Sequence, residues 1–172
     1  MAAAEGGYAR VLPEGRLVLG GLVLRCALGK GGVRTPAEKR EGDGATPAAR
    51  MALRRVLFRA DRGPPPRCAV PVEPIAPEDG WCDDPRHRAY NRPVRLPFDG
   101  SHERLWREDA LYDIVGVLGW NDDPVQPGRG SAIFLHVARP DFAPTEGCVA
   151  LAPRDLRAVL EAGLEGVAVL GE

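Results

Sequence analysis

The segment His136-Val-Ala-Arg-Pro-Asp-Phe-Ala-Pro-Thr-Glu-Gly-Cys148 holds the two side chains whose types and spacing can do chemistry. A thiol near its ordinary pKa of roughly 8.5 is mostly protonated at neutral pH, and a neighbouring imidazole can take that proton as the sulfur attacks a carbonyl. His136 closes an apolar run, and Cys148 follows Gly147, which lets the chain turn sharply and project the sulfur into a cleft. The Cys148 N–H, joined by that of Gly147 if the turn aligns it, can then meet a developing oxyanion. The second nitrogen of His136 needs an orienting partner, either a backbone carbonyl such as that of Val137 or a nearby carboxylate or hydroxyl. On type and spacing alone, the competing reading is a satisfied structural histidine and an inert buried thiol.

These residues have to be carried by a scaffold, and the pattern is mostly β. Ser131 to Val137 reads as a buried strand, and Leu111 to Trp120 as a central one. Arg16 to Leu28 reads as two strands joined at Gly20-Gly21. Met51 to Arg59 fits a helix nearly as well as a strand, and the Asp61-Arg-Gly-Pro-Pro-Pro66 that follows favours the strand. A helix is predicted from Pro153, with Leu156, Val159, Leu160 and Leu164 on one face, then an edge strand over Val167 to Leu170. Residues 1–15 read as a loose arm, 29–47 as a long polar loop, and 64–80, with six prolines, as irregular. Trp81 to Asn91 reads as a loop able to form a flap, with Arg86, Arg88 and Arg92 available to carboxylates. Tyr112, Trp120 and Asn121 fall near strand ends and are candidate cleft-lining residues, whereas Asp113 reads as a structural carboxylate. The expected fold is a β-sandwich or mixed β-rich sheet with one or two helices, forming a single domain over residues 1–172.

Composition narrows the function classes. With 23 basic and 24 acidic residues the net charge is −1, which gives no support for a nucleic-acid partner. The four cysteines form no C-x-x-C pair, so a zinc site is not expected. Cys26 reads as a buried small hydrophobe, and Cys68 and Cys82 are able to bridge in an oxidising compartment, leaving Cys148 free. The apolar run Leu17 to Leu24 is too short to span a bilayer. The start shows neither the basic nor the apolar region of a signal peptide, so the sequence read literally predicts a cytoplasmic chain.

The wider sequence resembles the YkuD-type L,D-transpeptidases. Gly130-Ser-Ala-Ile-Phe-Leu-His136 followed by Thr145-Glu-Gly-Cys-Val149 is similar to that family's strand-borne histidine, spacer and Ser/Thr-x-Gly-Cys element. Gly42-Asp-Gly-Ala-Thr-Pro47 looks like its upstream Gly-x-x-Thr-Pro element, and Leu111 to Asn121 like the strand and asparagine that line its cleft. The sequence departs from the pattern at Glu146, where members commonly have histidine, and at Ala150, where many have arginine or asparagine. The spacer of 11 residues between His136 and Cys148 is short for the family.

The resemblance implies a cysteine acyltransferase that cross-links diaminopimelate-containing peptidoglycan stem peptides, without cofactor or metal. Cys148 is implied as nucleophile, His136 as base and Gly147 as part of the oxyanion turn, with Thr145, Tyr112, Trp120, Asn121 and Arg139 as substrate contacts. It also implies a periplasmic or cell-envelope location. The alternatives are an L,D-carboxypeptidase or endopeptidase on the same scaffold, a non-catalytic peptidoglycan-binding domain, and an unrelated cytosolic thiol enzyme.

Overall fold

Strands dominate because β-branched and apolar residues alternate with polar ones over short runs broken by glycine and proline. A computed structural model describes residues 6–171. In chain order the elements are β1 (Tyr8–Leu12), β2 (Arg16–Leu19), β3 (Leu22–Ala27), β4 (Val33–Arg34), β5 (Thr46–Pro47), β6 (Arg50–Phe58) and β7 (Val72–Pro74). They continue with β8 (Asp79–Cys82), β9 (Pro93–Arg95), β10 (His102–Arg104), β11 (Ile114–Leu118), β12 (Phe134–Val137), β13 (Val149–Leu151), α1 (Pro153–Glu161) and β14 (Gly166–Val169). The β-rich class with a helix at Pro153 is as the sequence predicts.

The main sheet runs β11-β12-β13-β3-β2-β1-β14-β6-β7, and β11 also pairs with β6. The sheet therefore closes on itself, and only β7 lies outside the ring. The pairs β1–β14, β12–β13 and β6–β7 are parallel; the rest of the main sheet is antiparallel. A second sheet, β10-β8-β9, is separate from it.

Several expectations are corrected. The loose arm expected over residues 1–15 is in fact strand β1 and part of β2's turn, with residues 1–5 outside the described residues. Its Ala9 and Val11 point inward and Arg10 outward, a period of two too short to stand out in the sequence. β14 is not an edge strand, since it sits between β1 and β6. Trp81 to Asn91 is not a flap, because Trp81, Cys82, Tyr90 and Asn91 are buried and β8 pairs on both sides. The proline-rich stretch holds a short strand, β7, at the margin of the sheet, where a missing N–H does least harm.

The pleat of β12 separates two cores. Ile133, Leu135 and Val137 face the larger cluster, which includes Leu17, Met51, Leu151 and the buried α1 residues Leu156, Val159 and Leu160. Phe134 points the other way, into a cluster with Trp81, Tyr112, Val115 and Cys148. β11 divides likewise, which is why all of β11 and β12 is buried and their sequence lacks the alternation of a half-exposed strand.

Candidate active site

The parallel pairing of β12 with β13 sets Leu135 opposite Val149 and His136 opposite Ala150. Paired residues share a face and successive ones alternate, so Cys148, Ala150, Phe134 and His136 fall on one side of the sheet. Cys148 and His136 line one cleft of about 180 Å³ together with Glu103, Arg107, Leu111, Tyr112, Arg139, Thr145, Glu146 and Ala150. Among the described residues all four cysteines are free thiols, so neither the Cys68–Cys82 bridge that the sequence allows nor one at Cys148 is present.

The turn that presents the sulfur is held from three directions. Thr145 Oγ1 donates to the Cys148 carbonyl at 2.7 Å and accepts the Gly147 N–H at 3.1 Å. The Thr145 carbonyl accepts the Lys30 N–H at 2.8 Å, and the Thr145 N–H donates to Leu28. Gly147 has φ 133°, and a Cβ there would meet the Ala45 carbonyl oxygen at 2.7 Å. Only glycine both adopts that backbone and fits against Ala45. The adjoining Thr46 accepts the Gly29 N–H at 2.9 Å, which ties it to the same Leu28–Lys30 segment that holds Thr145. Because the Gly147 N–H is spent on Thr145, it does not point at an oxyanion as the sequence reading allowed.

At rest the sulfur bonds to backbone. Cys148 Sγ donates to the Ala132 carbonyl at 3.3 Å and accepts the Phe134 N–H at 3.4 Å, and no hydrogen bond joins it to His136 among the described residues. Apo sites commonly close such contacts only when substrate binds. Ala132 is itself fixed. Its N–H donates to Asn91 Oδ1 at 3.1 Å, which also accepts the Trp81 indole N–H, while Asn91 Nδ2 donates to the Trp120 and Asn121 carbonyls. Asn91 was not singled out from sequence; it sits in a polar stretch, and its buried, fully paired state follows from tertiary contacts alone.

His136 Nδ1 lies 2.8 Å from the Val137 carbonyl. That bond places the proton on Nδ1 and leaves Nε2 as the basic nitrogen. The Tyr112 ring packs edge-on against both His136 (5.4 Å) and Phe134 (5.8 Å). Burial leaves His136 4% and Cys148 7% exposed. It lowers the imidazole to about 4 against the opposing pull of the Val137 carbonyl, with Arg107 and Arg139 lowering it further. Burial also pushes the thiol up to about 12, and the carboxylate of Glu103 adds to the rise. The resting pair is thus neutral thiol and neutral imidazole rather than an ion pair, and sulfur must lose its proton as it attacks.

Of the other candidates, Tyr112, Arg139 and Thr145 line the cleft. Trp120 and Asn121 do not. The Trp120 indole donates to the Arg129 carbonyl, and Asn121 staples the following loop through Gln126 and Gly130. Arg86, Arg88 and Arg92 are also absent from the cleft lining; Arg92 donates to the Asp122 carbonyl. Asp113 pairs with Arg62 at 2.8 Å and is not among the residues that line the cleft. The altered Glu146 forms an exposed ion pair with Lys30 at 2.9 Å. Glu103 and Arg107 do not stand out in the sequence, because the pairing of β10 with β8 fixes Glu103 and Arg107 follows in the loop beyond it, both lining a cleft built from distant sequence.

A family model for the L,D-transpeptidase catalytic domain, YkuD, matches residues 8–170. No curated protein and no solved structure matches the chain.

Proposed function

We propose, from the premise that the chain belongs to the YkuD family of L,D-transpeptidase catalytic domains, that residues 8–170 act as one catalytic domain joining peptidoglycan stem peptides through a thioester on Cys148. The observation that carries this is the single cleft shared by Cys148 and His136, with the basic nitrogen of the imidazole left uncommitted. The family is associated with the cell wall and acts on stem peptides. Among the described residues no helix is long and apolar enough to cross a membrane. The place of action proposed here is the cell envelope.

In the first half-reaction the Sγ–H proton passes to His136 Nε2 while sulfur bonds to the donor carbonyl carbon. The Cys148 N–H meets the oxyanion, a contact typically worth about 2.7–4 kcal/mol in such sites. The C–N bond to the leaving amino acid or peptide then breaks, and His136 returns the proton to its amine. In the second half-reaction His136 takes a proton from the side-chain amine of an acceptor stem, which attacks the thioester. The C–S bond breaks, an amide forms, and the thiol is restored. Burial suits this sequence because a neutral thiol resists side reactions until a carbonyl occupies the cleft. The bond formed is a 3,3 cross-link or, given the altered Glu146 and Ala150, a 1,3 one.

Mass analysis of muropeptides after incubation with the wild type and Cys148→Ala tests the reading. Dimers from the wild type alone support transfer. Trimmed monomers alone indicate a carboxypeptidase or endopeptidase, and identical products from both proteins sink the nucleophile.

A further inference from the structure

The cleft contains an acid that the acyl-transfer chemistry does not use. Glu103, from β10, lines the same space as the Cys148 sulfur. Its Oε2 accepts the Tyr112 hydroxyl at 2.5 Å, and its Oε1 has no hydrogen-bond partner among the described residues. Burial raises the Glu103 carboxyl above the usual carboxylate range, against the pull of the Tyr112 hydroxyl, and its charge beside a thiol that must become a thiolate opposes the reaction. The arrangement makes chemical sense if a cation arrives with the substrate and faces Glu103 when the sulfur attacks.

The basic groups of the cleft are unequal. Arg107 is already tied to Asp109 through two bonds of 2.8 and 2.6 Å, so its charge is largely spent. Arg139 is exposed and lines the cleft; its backbone carbonyl accepts the Phe142 N–H, its charge reaches Asp109 only at a distance, and its guanidinium makes no hydrogen bond or ion pair among the described residues. The cleft therefore offers one uncommitted carboxylate oxygen and one uncommitted guanidinium. A ligand matching both carries an ammonium and a carboxylate close together, as in the free amino-acid end of a diaminopimelate side chain.

We propose that Glu103 and Arg139 form a clamp that reads the zwitterionic end of the donor's diaminopimelate side chain, Glu103 taking the ammonium and Arg139 the carboxylate. This rests on the reading of Cys148 as the acyl-accepting group, and it makes Glu103 a specificity residue. Tyr112, held against His136 and donating to Glu103, couples the clamp to the base. A donor whose ammonium meets Glu103 also offsets the charge that disfavours the thiolate, so correct binding and activation coincide.

The test uses three synthetic donor stems: one with diaminopimelate, one with lysine in its place, which keeps the amine and lacks the carboxylate, and one with the side-chain amine acetylated. Binding to Cys148→Ala protein is measured by calorimetry, so the clamp is judged without any chemistry. The clamp predicts at least about tenfold weaker binding for each altered stem, the size expected for one charge-assisted hydrogen bond. Glu103→Gln, which keeps a carbonyl for the Tyr112 hydroxyl, erases the preference against the acetylated stem, and Arg139→Ala erases the preference against lysine. Equal binding of all three stems overturns the clamp, as does a Glu103→Gln loss that is the same for every stem, which marks a purely structural residue. Turnover of the three stems by the wild type is measured alongside. Transfer without discrimination refutes the clamp and leaves the acyl-transfer reading standing, whereas discrimination in binding without any acylation supports the clamp and refutes that reading.

Discussion

The most quantitative consequence of the site is acid sensitivity traceable to one imidazole. His136 is buried with Nδ1 bonded to the Val137 carbonyl, and its pKa falls from an ordinary 6.5 to about 4. The unfolded chain therefore binds a proton between those values that the folded chain refuses. Stability contributed by keeping His136 neutral is present above pH 6.5 and is lost as pH falls toward 4. Integrating the two titrations from about pH 7 down to about pH 4.5 gives a loss of roughly 2.4 kcal/mol from this residue. Carboxylates such as Asp43, which burial would raise but bonds to Lys39 and to backbone N–H groups hold below the ordinary value of 3.8, lose their contribution below that pH, and a comparison kept above about pH 4.5 leaves most of that loss out. His136→Gln keeps a donor for the Val137 carbonyl and cannot titrate. Urea unfolding of both proteins at the two pH values gives the difference of differences. The wild type should lose about 2 kcal/mol more than the variant. Parallel losses in the two proteins would refute the buried, neutral imidazole and with it the assignment of Nε2 as base.

Further predictions follow from the turn, the thiol and the asparagine bracket. A thiol held near 12 leaves little thiolate, so iodoacetamide should alkylate Cys148 at pH 8 about 10³-fold more slowly than an unperturbed cysteine, read by peptide mass after timed quenching. Gly147→Ala forces a Cβ against the Ala45 carbonyl at a positive φ, and should cost about 2–4 kcal/mol by thermal or urea unfolding and abolish acylation. Thr145→Val removes both the acceptor for the Gly147 N–H and the donor to the Cys148 carbonyl, for a loss of about 1–3 kcal/mol that Thr145→Ser largely restores. Asn91→Leu orphans the Trp81 and Ala132 donors, so about 3 kcal/mol or more should be lost, with acylation slowed because the Ala132 carbonyl against the sulfur is released.

The local signals in the sequence lay where chemistry and period coincide. The apolar run into His136, the glycine before Cys148, the proline opening α1 and the paired runs around Gly20-Gly21 each have a short-range physical cause, and the structure realises them as β12, the cysteine turn, α1 and the β2–β3 hairpin. What stayed hidden depends on pairing between distant segments. The ring is closed by β6 reaching both β14 and β11, and no local pattern specifies that. Glu103 and Asn91 lie in polar stretches that read as solvated, and only the sheet β10-β8-β9 carries them to the edge of the site. Trp120 and Asn121 were misplaced for the converse reason. A tryptophan and an asparagine at a strand end suit a cleft wall as well as a loop staple, and the bonds to Arg129, Gln126 and Gly130 decide for the staple.

Everything proposed for the cleft depends on Cys148 taking the acyl group while His136 moves the proton. The most direct measurement is the intact mass of the protein, quenched in acid within seconds of mixing with a purified tetrapeptide-stem donor, followed by peptide mapping. The expected adduct is the donor's acyl part, which is the donor less its terminal amino acid for a 3,3 linkage or the donor cut after its first stem residue for a 1,3 linkage, confined to the peptide bearing Cys148, absent in Cys148→Ala and strongly slowed in His136→Gln. An adduct on another residue, or one that forms at the wild-type rate in His136→Gln, would contradict these roles.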